Sequence, residues 1–379
     1  MVCRRICLAF TLMIFLFAAA PASVFAEEMP IGKIEKIEGK VTILKSDGLQ
    51  VLARTGGELF AGDRIQTGKG ARVWFSLQPG TRFLLGEEAE ASVDELSSYD
   101  EEDDHPVLRL VLGYLWSKLQ KIMGRPMSLS IHTPTAVIGV RGTEFDTVVS
   151  MDAASAIAVD EGEVAVEAEE EKVTLRRGSM THVEMDVKPS PPEKAAPKEK
   201  RNWKAWREAR SKMLIRRLPR LVPRLRRRFD KAVMRSRGFT GKVNQGAQEV
   251  RAAISRVKEA RGKRSRQEMR QALVELKQKV KAFKKAANKF RHVLNRVHTM
   301  GGLSRRLEKF VERNKLGFSS AQLAVIEPNL ARIAEARKEL RSMYRDTIRQ
   351  IKQTTRAIRR VKRQKAKWLK AHPRPGSVR

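Results

Sequence analysis

The sequence predicts a multidomain β + α protein: a short-stranded β roll or solenoid domain followed by a long-helix, coiled-coil-like module. Three observations lead there. Of the 24 glycines, 16 fall between positions 32 and 178, where they separate short runs of alternating apolar residues. From Met269 to Val297 the apolar residues recur at 4-3 spacing, the seam of a helix that packs along another. Charge also divides the chain: residues 1–190 hold 20 Lys+Arg and 29 Asp+Glu, net −9, whereas 191–379 hold 57 and 14, net +43.

Residues 1–26, "MVCRRICLAFTLMIFLFAAAPASVFA", combine two arginines, an apolar run and small residues before Glu27. That order predicts a secretory signal peptide cleaved after Ala26. Pro21 ends the apolar run short of the ~20 residues that a spanning helix needs. Both cysteines, Cys3 and Cys7, lie inside it. The mature chain then has no thiol, which excludes disulfides, cysteine nucleophiles and cysteine-ligated zinc.

Residues 27–186 read as the β domain. "ARVWFSL" places Ala71, Val73, Phe75 and Leu77 on one face, and "MSLSI" does so for Met127, Leu129 and Ile131. "AEASV" offers Ala89, Ala91 and Val93 inward with Glu90 and Ser92 outward, and "EVAVEAE" offers Val164, Val166 and Ala168. Period-2 runs broken by glycine turns are the pattern of short strands. One helix is expected among them, "LRLVLGYLWSKLQKIM", although its first half also fits a strand.

Signals for catalysis are weak. There is no G-x-S-x-G elbow, H-E-x-x-H, P-loop or dinucleotide fingerprint. The six histidines, His105, His132, His182, His292, His298 and His372, show no ligand spacing on one helix face. "DEEDDH", residues 100–105, is the one place a cation could settle. It lacks the glycine and the alternation of a calcium loop and reads as a solvated acidic loop. No enzyme, cofactor or metal is expected.

The most distinctive stretch is "HTPTAVIGVRGTEFDTVV", residues 132–149. Its Thr133, Pro134, Ala136, Val140, Arg141, Gly142, Thr143, Glu144 and Phe145 match a TP-x-A-x-x-x-VRGTEF run. Upstream stand Gly62-Asp63-Arg64-Ile65, Thr67-Gly68 and Gly80-Thr81. Together these motifs resemble the FecR-domain family over about residues 31–186. The resemblance implies an extracytoplasmic β-rich domain that binds protein rather than catalysing a reaction. In the family's founding members it relays a signal from an outer-membrane iron transporter to a cytoplasmic sigma factor. With a signal peptide at Met1, this chain looks more like the standalone exported FecR-domain proteins.

The motif also has a physical reading. Gly139 and Gly142 flank Val140-Arg141, so the backbone can bend sharply at either glycine. Thr133-Pro134 favours an extended entry. Phe145, Thr147 and Val149 share one strand face while Glu144 and Asp146 share the other. Arg141 is expected to pair with one of those carboxylates; the functional alternative makes it part of an exposed binding patch.

Residues 187–202, proline- and lysine-rich, read as an extended linker. Residues 203–240 form a basic segment that contains "RRLPRLVPRLRRRF". Its Arg216, Arg217, Arg220, Arg224, Arg226, Arg227 and Arg228 are candidate polyanion ligands, because guanidinium forks suit phosphates. Its apolar residues could enter a membrane interface, although Pro219 and Pro223 weaken a helix there. The alternative is a basic solvated linker.

Residues 241–372 predict a basic helical hairpin, with 373–379 a disordered tail. Leu273, Leu276, Val280, Phe283, Phe290 and Leu294 carry the first seam. A leakier second seam runs from Leu323 to Trp368. Gly301-Gly302 is expected to end the first helix, and Ser319 with Gln322 to cap the next. Pro328 is expected to kink or restart the second helix. The seams read as core packing between these helices, with homo-oligomerisation the minor reading.

The cations of this half outnumber its carboxylates, so self-repulsion is expected unless an anionic partner relieves it. The expected partners are an envelope protein through the FecR-like domain and an anionic lipid or polymer through the helical arm. Docking of the acidic β domain on the basic arm of a second copy is a further option. Nucleic acid is disfavoured: Phe283 and Phe290 lie in the seam and are not free to stack on bases.

Overall fold

One strand of the β region serves two sheet layers. The structure, a computed structural model, describes residues 30–77, 79–94, 107–122, 125–126, 128–263 and 265–371. The expected signal peptide, the acidic run at 100–105 and the tail at 373–379 lie outside the described residues.

Strands β1 (Gly32–Glu38), β2 (Val41–Leu44), β3 (Gln50–Leu52), β4 (Glu58–Leu59), β5 (Arg64–Thr67), β6 (Arg72–Ser76), β7 (Thr81–Leu85) and β8 (Glu90–Val93) come first. The 13-residue β9 (Val107–Leu119) follows, and then the small hairpin β10 (Lys121–Ile122) and β11 (Arg125–Pro126). The second half holds β12 (Ser128–His132), β13 (Val137–Arg141), β14 (Glu144–Val149), β15 (Ser155–Glu161), β16 (Glu163–Ala168), β17 (Glu171–Arg176), β18 (Ser179–Val183) and β19 (Glu193–Lys194).

One layer runs β4-β1-β6-β7-β9-β14-β15-β18-β19. The other runs β3-β2-β5-β8-β9-β12-β13-β16-β17, and only its β9–β12 pair is parallel. The first half of β9 pairs with β8 and β12, the second half with β7 and β14. Gly113 marks the changeover. Its φ is +104°, and a Cβ there would lie 2.2 Å from Cβ of Ala89, so only glycine fits.

The helix expected over this segment is therefore a strand, and burial explains the misreading. Leu108 and Leu110 face the core between the layers, while Val111 and Leu112 pack into the helical core on the outside. A strand covered on both faces loses its period-2 signature. Glu90 and Ser92, expected outward, are buried for the same reason, at 4% and 6% exposure.

The helical half has three long helices, one more than the expected hairpin. After the short α1 (Trp203–Lys212) come α2 (Leu214–Gly262), α3 (Arg266–Arg313) and α4 (Ser320–Ala371). Helix α2 crosses the boundary expected at 240 and contains Pro219 and Pro223. Leu218, Leu221, Val222, Leu225 and Phe229 are buried on one of its faces, and that burial offsets the lost backbone hydrogen bonds. These apolar residues are thereby removed from any membrane interface.

The first long break falls between Gly262 and Arg266, where the Ser265 side chain accepts from the Glu268 amide. It does not fall at Gly301-Gly302. Helix α3 continues through both glycines because Gly302 lies against β9: a Cβ there would sit 2.6 Å from Cγ1 of Val111. Ser319 and Gln322 do form the expected cap, with reciprocal hydrogen bonds of 2.9 and 3.2 Å. Pro328 lies inside a continuous α4.

Helix α2 is packed by both others. Lys279 with Glu249 and Arg256 with Glu275 set α3 antiparallel to it, while Arg237 with Glu339 and Arg251 with Gln350 set α4 parallel. Of the predicted seam, Leu276, Phe283, Phe290 and Leu294 are buried, and Leu273 and Val280 pack against that core. The helical core also takes in Val111, Leu112, Ala153 and Met185 of the β region. Residues 31–379 accordingly form one compact unit.

Candidate functional site

The TP-x-A-x-x-x-VRGTEF run spans the β12–β13 turn, β13 and the start of β14. Thr133 is buried and organises the turn: its Oγ1 accepts from the amides of Thr135 and Ala136 at 3.3 and 2.9 Å. The carbonyl of Pro134 accepts from Arg228 at 3.4 Å. Gly142 has φ +62°, as its expected bend requires, whereas Gly139 stays in regular strand. Thr143 Oγ1 donates to the carbonyl of Glu163 at 2.9 Å, and Phe145 is fully buried.

Arg141 does not make the expected ion pair. It is exposed and has no carboxylate partner among the described residues. The carboxylates expected to receive it are claimed by another segment. Glu144 accepts from Lys118 at 2.8 Å, Trp116 at 3.1 Å and Lys198 at 2.5 Å. Burial would raise its carboxyl, but these donors outweigh burial and hold it at about 2. Asp146 accepts from Tyr114 at 2.8 Å, Trp203 at 2.9 Å and Arg201 at 2.6 Å. Burial pushes its carboxyl up against those three donors.

Trp203 opens the basic segment, whereas Lys198 and Arg201 come from the segment before it, expected to be an extended linker. Instead, β19 pairs with β18, and Ser190 bonds to Thr181 and His182. It straps the β domain to the first helix.

Arginines from the helical half continue this pattern across the β domain. Arg210 reaches Asp152 at 2.9 Å and Glu184 at 2.7 Å, and Arg217 also pairs with Asp152. Arg228 pairs with Glu169 and, at 2.6 Å, with Asp186. Arg306 reaches Glu90 at 3.1 Å. The acidic domain therefore neutralises part of the basic arm of its own chain.

The most buried of these contacts joins β8, β9 and α3. Asp94 and Arg109 pair at 2.9 Å with side-chain exposures of 0% and 3%. Arg291 also pairs with Asp94, Asn295 accepts from Arg109 at 2.7 Å, and His298 Nδ1 lies 2.7 Å from Arg109. Burial, and then Arg109, push His298 well below the ordinary histidine range. Nearby, the fully buried His132 stacks on His292 at 6.1 Å. Burial, followed by repulsion from His292, lowers His132 to about 3. Sequence reading missed this cluster; its one trace was Arg109, a lone charge inside an apolar run.

Of the seven arginines expected to bind polyanions, the structure divides three from four. Arg217 and Arg228 are spent on the β domain, and Arg226 lies 3.7 Å from Asp230. Arg216, Arg220, Arg224 and Arg227 are exposed and have no ion pair among the described residues. Lys231 and Arg235, equally exposed and unpaired, extend the same stripe. From 216 to 235 it runs about 29 Å along α2 at 1.5 Å per residue.

Arginines of the helical half thus fasten the two-layer β domain to its own helices. Residues 63–165 match the model of the FecR family, described as FecR protein, so the β region carries a FecR domain. A comparison with curated proteins gave no match. Among solved structures, two crystal structures of a protein provisionally assigned as an anti-sigma factor, from Parabacteroides distasonis ATCC 8503, are similar to this chain. Their sequences are 18% and 17% identical to it, and both matches cover 35% of this chain and 59% of the other, with a TM-score of 0.30. No described helix is long and apolar enough to cross a membrane.

Proposed function

We propose that this is an exported, non-enzymatic FecR-domain protein of the cell envelope whose helical module holds it on phosphate-bearing envelope material. The observation that carries this reading is the exposed stripe of Arg216, Arg220, Arg224 and Arg227, with Lys231 and Arg235, left unpaired while neighbouring arginines are neutralised within the chain. Basic residues near an anionic surface contribute about 1 kcal/mol each, and salt screens them. The FecR domain remains the protein-binding element.

The test is co-sedimentation of the protein with phosphatidylglycerol and phosphatidylcholine vesicles and with lipopolysaccharide, over a salt series. Binding to the anionic materials alone, released by salt and at least tenfold weaker when the four arginines become glutamine, supports the reading. Equal binding to phosphatidylcholine, or an unaffected variant, refutes it. The two anionic materials separate a lipid headgroup from a lipopolysaccharide phosphate.

A second reading, a FecR-like regulator that relays the state of an envelope protein, is favoured by the family match at 63–165 and by the unpaired Arg141 in its motif. It predicts that Arg141→Ala folds normally and loses a protein partner.

A further inference from the structure

Where the β domain meets α3 and α4 there is a cleft of about 660 Å³. One wall carries Lys45, Arg64 and Arg109, and the other carries Arg305, Arg337, Arg341 and Arg345. Among the described residues, only two carboxylates, Asp47 and Glu90, line the same space. Four of the cations are already matched: Lys45 to Asp63 at 2.7 Å, Arg64 to Glu90 at 3.5 Å, Arg109 to Asp94 at 2.9 Å and Arg337 to Glu308 at 2.8 Å. Glu90 is committed further, accepting from Arg306 and from Gln66 at 3.1 Å each. Arg305, Arg341 and Arg345 are left without a carboxylate among the described residues.

We infer that this cleft binds a small, multiply phosphorylated molecule, gripped between Arg305 of α3 and Arg341 and Arg345 of α4. Three guanidinium forks converging on one cleft match the oxygens of two or more phosphates better than a single monoanion. The cleft exceeds what inorganic phosphate needs, and Leu340, Tyr344 and Ile348 give it an apolar side for an organic body. Burial first, and then the charge of Arg64, lower Arg305 to about 10, with Glu90 opposing and Arg337 and Arg341 adding to the shift. The ligand would touch both the β domain and the helices, so its binding would tighten their docking. This site uses none of the residues of the α2 stripe.

The experiment is calorimetric titration of the full chain with pyrophosphate at fixed ionic strength, with sulfate as control, alongside thermal unfolding. Saturable one-site binding of pyrophosphate, much weaker for sulfate, is expected. Arg305→Gln with Arg341→Gln weakens it at least tenfold, while the variant with glutamine at 216, 220, 224 and 227 keeps it. Without ligand, Arg305→Gln alone has an unchanged or higher Tm, because an uncompensated charge is removed from a partly buried site. The inference is overturned by no binding at millimolar pyrophosphate, or by equal binding of sulfate. It is overturned equally if binding survives in the double variant or is lost in the stripe variant. A lower Tm for Arg305→Gln would make that residue structural and overturn it as well.

Discussion

Acid should loosen this protein between pH 7 and 5, and His132 allows the size of the effect to be worked out. An unfolded histidine titrates near 6.5. In the folded chain, His132 is fully buried, faces His292, Asp94, Arg109 and Arg296, and titrates at about 3. Between those values the unfolded chain holds more protons than the folded one. Stability is therefore complete above about pH 6.5 and is lost as the pH falls. At pH 5 the 1.5-unit gap below 6.5 amounts to about 2 kcal/mol from this residue alone. His298 and His292 are shifted in the same direction by burial and by nearby arginines, so they add to the loss. The stabilising carboxylates Glu144 and Asp152, whose pKa values are depressed, act lower, beneath the ordinary carboxylate range. The assay is urea unfolding at pH 7 and 5 in constant salt. His132→Phe keeps a ring against His292 and removes two ring nitrogens that have no hydrogen-bond partner among the described residues. It should reduce the pH-dependent loss by about 2 kcal/mol. An identical loss in wild type and variant would refute the reasoning.

Three further outcomes follow from the packing. Gly302→Val should destabilise by about 1–3 kcal/mol through its clash with Val111, whereas Gly301→Ala, whose nearest neighbour would be Arg337 at 3.7 Å, should be neutral or slightly stabilising; thermal unfolding of both variants checks this. Asp94→Ala leaves Arg109 buried without its carboxylate and should cost about 3–5 kcal/mol in denaturant unfolding, more than Glu335→Ala at the exposed pair with Arg332. Ser319→Ala removes one half of the α4 cap and should cost about 1 kcal/mol by the same measurement.

Local chemistry legible in the sequence survived folding wherever a single period or turn decides the conformation. The alternation in "ARVWFSL" became β6, the 4-3 spacing from Met269 became the buried face of α3, and Ser319 with Gln322 became a cap. The FecR match over residues 63–165 takes in the TP-x-A-x-x-x-VRGTEF run and the upstream motif from Asp63 onward. Readings failed where a segment has neighbours on more than one side. Strand β9 looked helical because both of its faces are buried, and Gly301-Gly302 looked like a helix end although a sheet approaches it closely.

The sequence by itself determined that an acidic β half precedes a basic helical half, since net charge and periodicity are sums over residues. Only the tertiary structure decided which charges are free. Arg217 and Arg228 sit beside Asp152 and Asp186, whereas Arg216 and Arg227, each a neighbour in sequence, point to solvent. A helix turns about 100° per residue, so adjacent arginines face different surroundings. Which of them meets a carboxylate depends on a surface folded from residues far away in the chain.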